Sequence, residues 1–86
     1  MAITLNCKKG NAEIRIGKNR VQILTGRRRK WDVLHWSRYS DDDIAVQGLY
    51  RGRYADAVVH VSELISALES LGADSVSEGI RKACSP

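Results

Sequence analysis

This 86-residue chain has no phenylalanine, a single proline and no apolar run of about 18 residues. Without such a run no helix can span a bilayer, and the expectation is a soluble protein. Met1, Ala2, Ile3, Thr4 and Leu5 lack the charged start and long apolar stretch of a secretory signal and read as a strand. Cysteine is also scarce. Cys7 and Cys84 lie near opposite ends, and a secreted domain of this size usually carries more, so reduced thiols in a cytoplasm are expected. A terminus-to-terminus disulfide is the alternative. The one proline, Pro86, is the last residue and interrupts no element.

Chemistry-bearing motifs are missing too. There is no glycine-rich phosphate loop. His35, His60, Cys7 and Cys84 show no paired short-range spacing of the kind zinc sites use. Asp41, Asp42 and Asp43 are consecutive, so in a strand their side chains diverge, and in a loop acids are usually solvated rather than metal-bound. A general base at His35 beside arginines would suit small ribonuclease toxins, but those place their helices before the main sheet, and here helical text comes last. A chain this short buries roughly 60–65% of its unfolded surface. That leaves little room for a deep active site beside a core. The expectation is a binding protein, with no catalytic residue, metal or cofactor.

What is present is a globular composition, 43% hydrophobic, with an uneven charge. Residues 1–55 hold twelve of the fourteen Lys and Arg against five acids, a net +7. Residues 56–86 hold two basic and five acidic residues, a net −3. A basic front half suggests an anionic partner.

Alternation of apolar and polar residues marks strands. Ile3, Leu5 and Cys7 give the first, and Ala12, Ile14 and Ile16 the second. Val21 to Leu24 gives the third and Lys30 to Trp36 the fourth, the latter rich in Trp and Val. Ile44 to Tyr50 and Tyr54 to Val61 complete six. Residues 41–50 could alternatively be helical, since acids favour a first turn. Gly48 with Ile44, Val46 and Tyr50 favours a strand. Ser62 reads as a helix cap, followed by Leu64, Ile65, Leu68 and Leu71 at helical spacing and by Gly72 as a C-terminal glycine. Asp74 could cap a second helix with Val76, Ile80 and Ala83 as its stripe. The fold class is therefore a single α+β domain over residues 1–86. It is an antiparallel five- or six-stranded meander packed on one face by one or two C-terminal helices.

In a meander, the first, third and fifth turns share one end of the sheet. Lys8, Lys9, Arg27, Arg28, Arg29, Lys30, Arg51 and Arg53 fall in or beside those turns, which contain no acid. Trp31, Tyr50 and Tyr54 flank the same turns. Basic groups pair with phosphates, and flat rings stack on unpaired bases. The spacing of five between Trp31 and Trp36 places them on opposite faces of a regular strand, one against the helices and one outward.

The stretch Lys30-Trp31-Asp32-Val33-Leu34-His35-Trp36-Ser37, followed by a loop, a strand and Ser62-Glu63-Leu64 leading a helix, resembles the positive cofactor four-like single-stranded DNA-binding family. The resemblance covers residues 12–72 and implies a curved four-stranded antiparallel sheet, a following helix, a homodimer and single-stranded DNA binding. Extra strand text at Ile3–Cys7 and a second C-terminal helix lie outside it. The chain also lacks the family's compact Lys-Gly turn directly before the last strand, and Arg51-Gly52-Arg53 is the nearest match.

The resulting expectation is a nucleic-acid-binding protein that prefers single strands. Arg27, Arg28, Arg29, Lys30, Arg51 and Arg53 would contact phosphates, with Lys8 and Lys9 in support, and Trp31, Tyr50 and Tyr54 would stack. The alternative is a small phage or mobile-element module that docks on a host nucleic-acid enzyme through an acidic surface of that partner.

Overall fold

The computed structural model describes residues 2–9, 12–26 and 28–84. Six strands run β1 (Ile3–Asn6), β2 (Ala12–Ile16), β3 (Val21–Thr25), β4 (Lys30–Arg38), β5 (Asp43–Tyr50) and β6 (Arg53–His60), followed by α1 (Val61–Ser70) and α2 (Asp74–Cys84). The strands form one antiparallel meander in the order β1-β2-β3-β4-β5-β6. This is the α+β arrangement the alternation implies, and residues 43–50 are strand rather than helix.

Alternation assigns the faces. Ile14 and Ile16 stand opposite Ile23 and Val21, Ile23 opposite Trp31, and Ile44 and Val46 opposite Val59 and Ala57. These side chains are buried on one inner face. Each fully buried aliphatic side chain contributes about 1.5–3 kcal/mol. The sheet curls around this face. The segment after β1 reaches the far edge of β6, where the Lys8 N–H donates to the Val58 carbonyl at 2.7 Å and Lys9 bridges Val58. The curled sheet is a half-barrel whose inner face the two helices cover.

One irregularity reverses an expectation. Val33 pairs with Gly48 and His35 with Gln47, so Leu34 is an extra residue in β4. This bulge resets the alternation, and Trp36 stands opposite Val46 on the inner face. Both tryptophans therefore pack with the core, not on opposite faces. Nearby, β4 and β5 approach so closely that a Cβ on Gly48 would lie 2.7 Å from the Asp32 carbonyl oxygen. Only glycine fits there.

The start of α1 also differs from the sequence reading. His60 is the cap residue and makes no side-chain capping bond. Ser62 lies inside the first turn, its hydroxyl 2.8 Å from His60 Nδ1. The competing interaction is tertiary: the Val61 N–H donates to the Asp42 carbonyl at 2.9 Å and pins the helix start to the β4–β5 loop. Leu64 and Leu68 are fully buried, whereas Leu71 is half-buried. Gly72 ends the helix at φ 73°. The N–H of Ala73 bonds the Leu68 carbonyl and that of Gly72 the Glu69 carbonyl, a Schellman closure. The Ser77 N–H bonds the Ala73 carbonyl, so Ala73 caps α2 and Asp74 is its first helical residue. Ile80 anchors α2 in the core, and Arg81 pairs with Glu69 between the helices. Among the described residues, no helix is long and apolar enough to cross a membrane.

Candidate functional site

The β3–β4 loop and the β5–β6 turn lie at the same end of the sheet. In the first, the Thr25 N–H bonds the Arg29 carbonyl at 3.0 Å and the Arg28 N–H bonds the Thr25 carbonyl at 2.9 Å. In the second, Tyr50 pairs with Arg53 across the two-residue turn Arg51-Gly52, whose φ values are 48° and 77°. Two positive φ values in succession are the signature of a type I′ hairpin, which matches the twist of the strands. Arg28 also has a positive φ, 57°. Arg28 and Arg51 are the non-glycine residues with positive φ among those described, and both sit at this end. A left-handed conformation costs a side-chain-bearing residue about 1–2 kcal/mol. Arginine is thus kept at two positions where glycine or asparagine would be better accommodated.

Arg29, Tyr50, Arg51 and Arg53 line a cleft of about 340 Å³ here. Tyr50 and Arg53 continue the inner face of their strands, so the cleft is the mouth of the half-barrel. The Tyr50 ring meets Trp31 edge to face with centroids 5.5 Å apart, and the Arg51 guanidinium lies 5.4 Å from the Tyr50 centroid. The cleft floor is an aromatic ring that touches the core through Trp31 and the Arg51 guanidinium beside it.

The charges at this end are unpaired. Elsewhere Lys8 pairs with Asp43 at 2.9 Å, Arg20 with Asp32 at 3.0 Å, Arg38 with Asp41 at 2.6 Å, and Arg81 with Glu69. Among the described residues, Arg28, Arg29, Lys30, Arg51 and Arg53 have no carboxylate partner, nor do Lys9, Arg15, Lys18 and Lys82 elsewhere; what sets this end apart is that five such cations gather in two neighbouring turns.

The structure alters the expected constellation in four places. Lys8 and Lys9 do not join this end. The Cys7–Lys9 segment crosses to β6, which sends the Lys8 ammonium to Asp43 and the Lys9 ammonium to the Tyr39 hydroxyl at 3.2 Å. Both partners belong to the opposite end of the sheet. Trp31 is only 5% exposed and offers no face to a base. Its Nε1 is buried without a hydrogen-bond partner among the described residues. Tyr54 is 78% exposed, but it stands opposite Leu49 on the outer face, so it does not share a surface with Tyr50. Arg27 lies outside the described residues.

Sequence reasoning missed the outer apolar patch. Leu34, 64% exposed, joins Leu49 and Tyr54 on the outer face of β4–β6. Alternation from Trp31 already sends Leu34 outward, but the apolar run Val33-Leu34 reads as core.

At the opposite end, the Lys8 hydrogen bond holds the Asp43 carboxyl below its ordinary range, helped by the Ser40 hydroxyl at 3.0 Å. Asp41 and Asp43 are thus engaged by cations rather than gathered with a third ligand. Among the described residues, no three His, Cys, Asp or Glu side chains cluster as a metal site would require. Both cysteines are free thiols, and burial pushes the Cys7 thiol up, with the Glu13 charge adding to the shift.

Comparison with known proteins finds no matching family model, no similar curated protein and no similar solved structure.

Proposed function

We propose that this chain is a non-catalytic nucleic-acid-binding protein that prefers single strands and engages them at the mouth of the half-barrel. The carrying observation is the group of unpaired guanidiniums around an aromatic-floored cleft. Arg29, Arg51 and Arg53 contact phosphate there, with Arg28 and Lys30 beside them. Planar guanidiniums match phosphate oxygens by paired hydrogen bonds. Tyr50 supplies the stacking surface, and Tyr54 a second one on the outer face. The two arginines held at positive φ add support, because backbone strain that a simpler residue would relieve clusters at functional sites. The resemblance of residues 12–72 to single-stranded DNA-binding proteins points the same way.

A second reading rests on a different observation. Leu34, Leu49 and Tyr54 form an exposed apolar group on the outer face, and such groups mark protein contacts. On that reading the chain docks on a host nucleic-acid enzyme. Titration of short random oligonucleotides at several salt concentrations separates the two: nucleic-acid binding weakens steeply as salt rises, whereas no binding at low salt rejects the first reading.

A further inference from the structure

We infer that the cleft recognises a phosphate monoester at the end of a strand rather than phosphodiesters along it; this rests on the nucleic-acid reading above. Three observations carry it. The first is confinement. The basic surface does not continue as a track. On the outer face, Asp32 lies opposite Gln22, and Asp56 opposite Gln47, within a few residues of the turns. At the far end of the sheet Lys8 and Arg38 are already paired with Asp43 and Asp41. Along β5 and the part of β6 beyond Arg53, a strand leaving the cleft over that face meets Asp56 and no Lys or Arg.

The second is stoichiometry. Arg29, Arg51 and Arg53 converge on a cleft of about 340 Å³. One internal phosphodiester brings a single negative charge. A terminal monoester brings about −1.5 to −2 at neutral pH and three acceptor oxygens. That matches three forked donors that lack carboxylate partners. The third is the floor. Tyr50 is 38% exposed and in contact with Trp31 and the Arg51 guanidinium, a positioned ring whose exposed part can take one terminal base.

The monoester can sit at the 5′ or the 3′ end, and the test distinguishes them. Eight-nucleotide strands of one sequence, carrying a 5′-phosphate, a 3′-phosphate or neither, are titrated at moderate salt and near pH 7.5. One phosphorylated strand is expected to bind about tenfold tighter or more than the unphosphorylated one, as one or two charge-assisted hydrogen bonds would give. The preference should shrink below about pH 6, where the monoester takes up its second proton. Arg29→Ala and Arg53→Ala should each abolish the preference while circular dichroism shows an unchanged fold. All three strands binding within about twofold would overturn end recognition and leave the broader reading standing. A preference that survives both substitutions would overturn the location. No binding of any strand, even at low salt, would overturn both.

Discussion

The Trp31 and Tyr50 rings meet edge to face at 5.5 Å with an interplanar angle of 75°, joining the innermost aromatic of the core to the floor of the cleft. Tyr50→Ala should therefore act in two places. It should lower stability by about 0.5–1.5 kcal/mol through the lost pair. It should also admit water to Trp31. In a Trp36→Phe background, where Trp31 is the sole indole, emission should shift to the red. An unchanged spectrum would mean that Tyr50 does not cover Trp31.

The helices hold to the sheet through Leu64, Leu68 and Ile80, all fully buried. Leu68→Ala should cost about 2–5 kcal/mol, a large part of the 5–15 kcal/mol typical of a whole domain. Urea denaturation would report it as a lower midpoint with little change in slope. A midpoint equal to that of the wild type would refute the packing.

Much of this packing was legible in the sequence. Ile14, Ile16, Ile23, Ile44 and Val46 announce their faces by strict alternation, and Leu64 and Leu68 theirs by helical spacing. What escaped was tertiary. The bulge at Leu34 depends on how β4 meets Gly48 of β5 and turns Trp36 inward. The path of Lys8 and Lys9 depends on a backbone bridge to Val58, some fifty residues away. Ser62 is a good capping residue, yet the helix starts earlier because Val61 is bonded to Asp42. In the candidate site, Arg28, Arg29, Arg51 and Arg53 stand at one end of the sheet as the meander implied, whereas the role given to Trp31 ignored that a large ring beside an isoleucine-rich strand fills the core.

Arg28 and Arg51 both hold left-handed backbone. Arg28→Asn should raise stability by up to about 1 kcal/mol, because asparagine tolerates this conformation. Arg51→Asn should gain less, since it also loses the Tyr50 contact, worth about 0.5–1 kcal/mol when exposed. Both should weaken oligonucleotide binding. A clear loss of stability in Arg28→Asn would remove strain from the argument.

Asp43 gives a pH dependence. Its carboxyl is held low by the Lys8 hydrogen bond. The group therefore stabilises the fold fully above its unfolded value, about 3.9. That contribution is lost as pH falls through the lower folded value. Asp43→Asn should be less stable than the wild type near neutrality, and the gap should close in acid. Thermal melts across that range that kept a constant gap would contradict the coupling.

The binding proposal makes its sharpest prediction in salt. On the broader reading, with cations meeting phosphodiesters along the strand, neutralising about four phosphates gives a slope of log K against log salt of roughly −3, and recognition of one terminal monoester a shallower one. Replacing Arg29, Arg51 and Arg53 together by Ala should bring the slope close to −1, because about three fewer counterions are released. The fold should survive, since exposed charges contribute little to stability. Tyr54→Ala should behave differently: a lost stack weakens binding by about 1–3 kcal/mol per base and leaves the slope unchanged. Trp31→Ala should do neither, acting instead on stability by about 3–5 kcal/mol, as truncation of a buried tryptophan does. Lys8→Ala supplies the control, because Lys8 is engaged with Asp43 at the opposite end of the sheet, and its slope should equal that of the wild type. If the triple variant kept the full slope while Lys8→Ala lost part of it, phosphate would be bound at the β4–β5 end and the cleft would not be the site. If the wild type bound no strand at low salt, where the electrostatic contribution is largest, the apolar outer face of Leu34, Leu49 and Tyr54 would become the surface to test, with a protein as its partner.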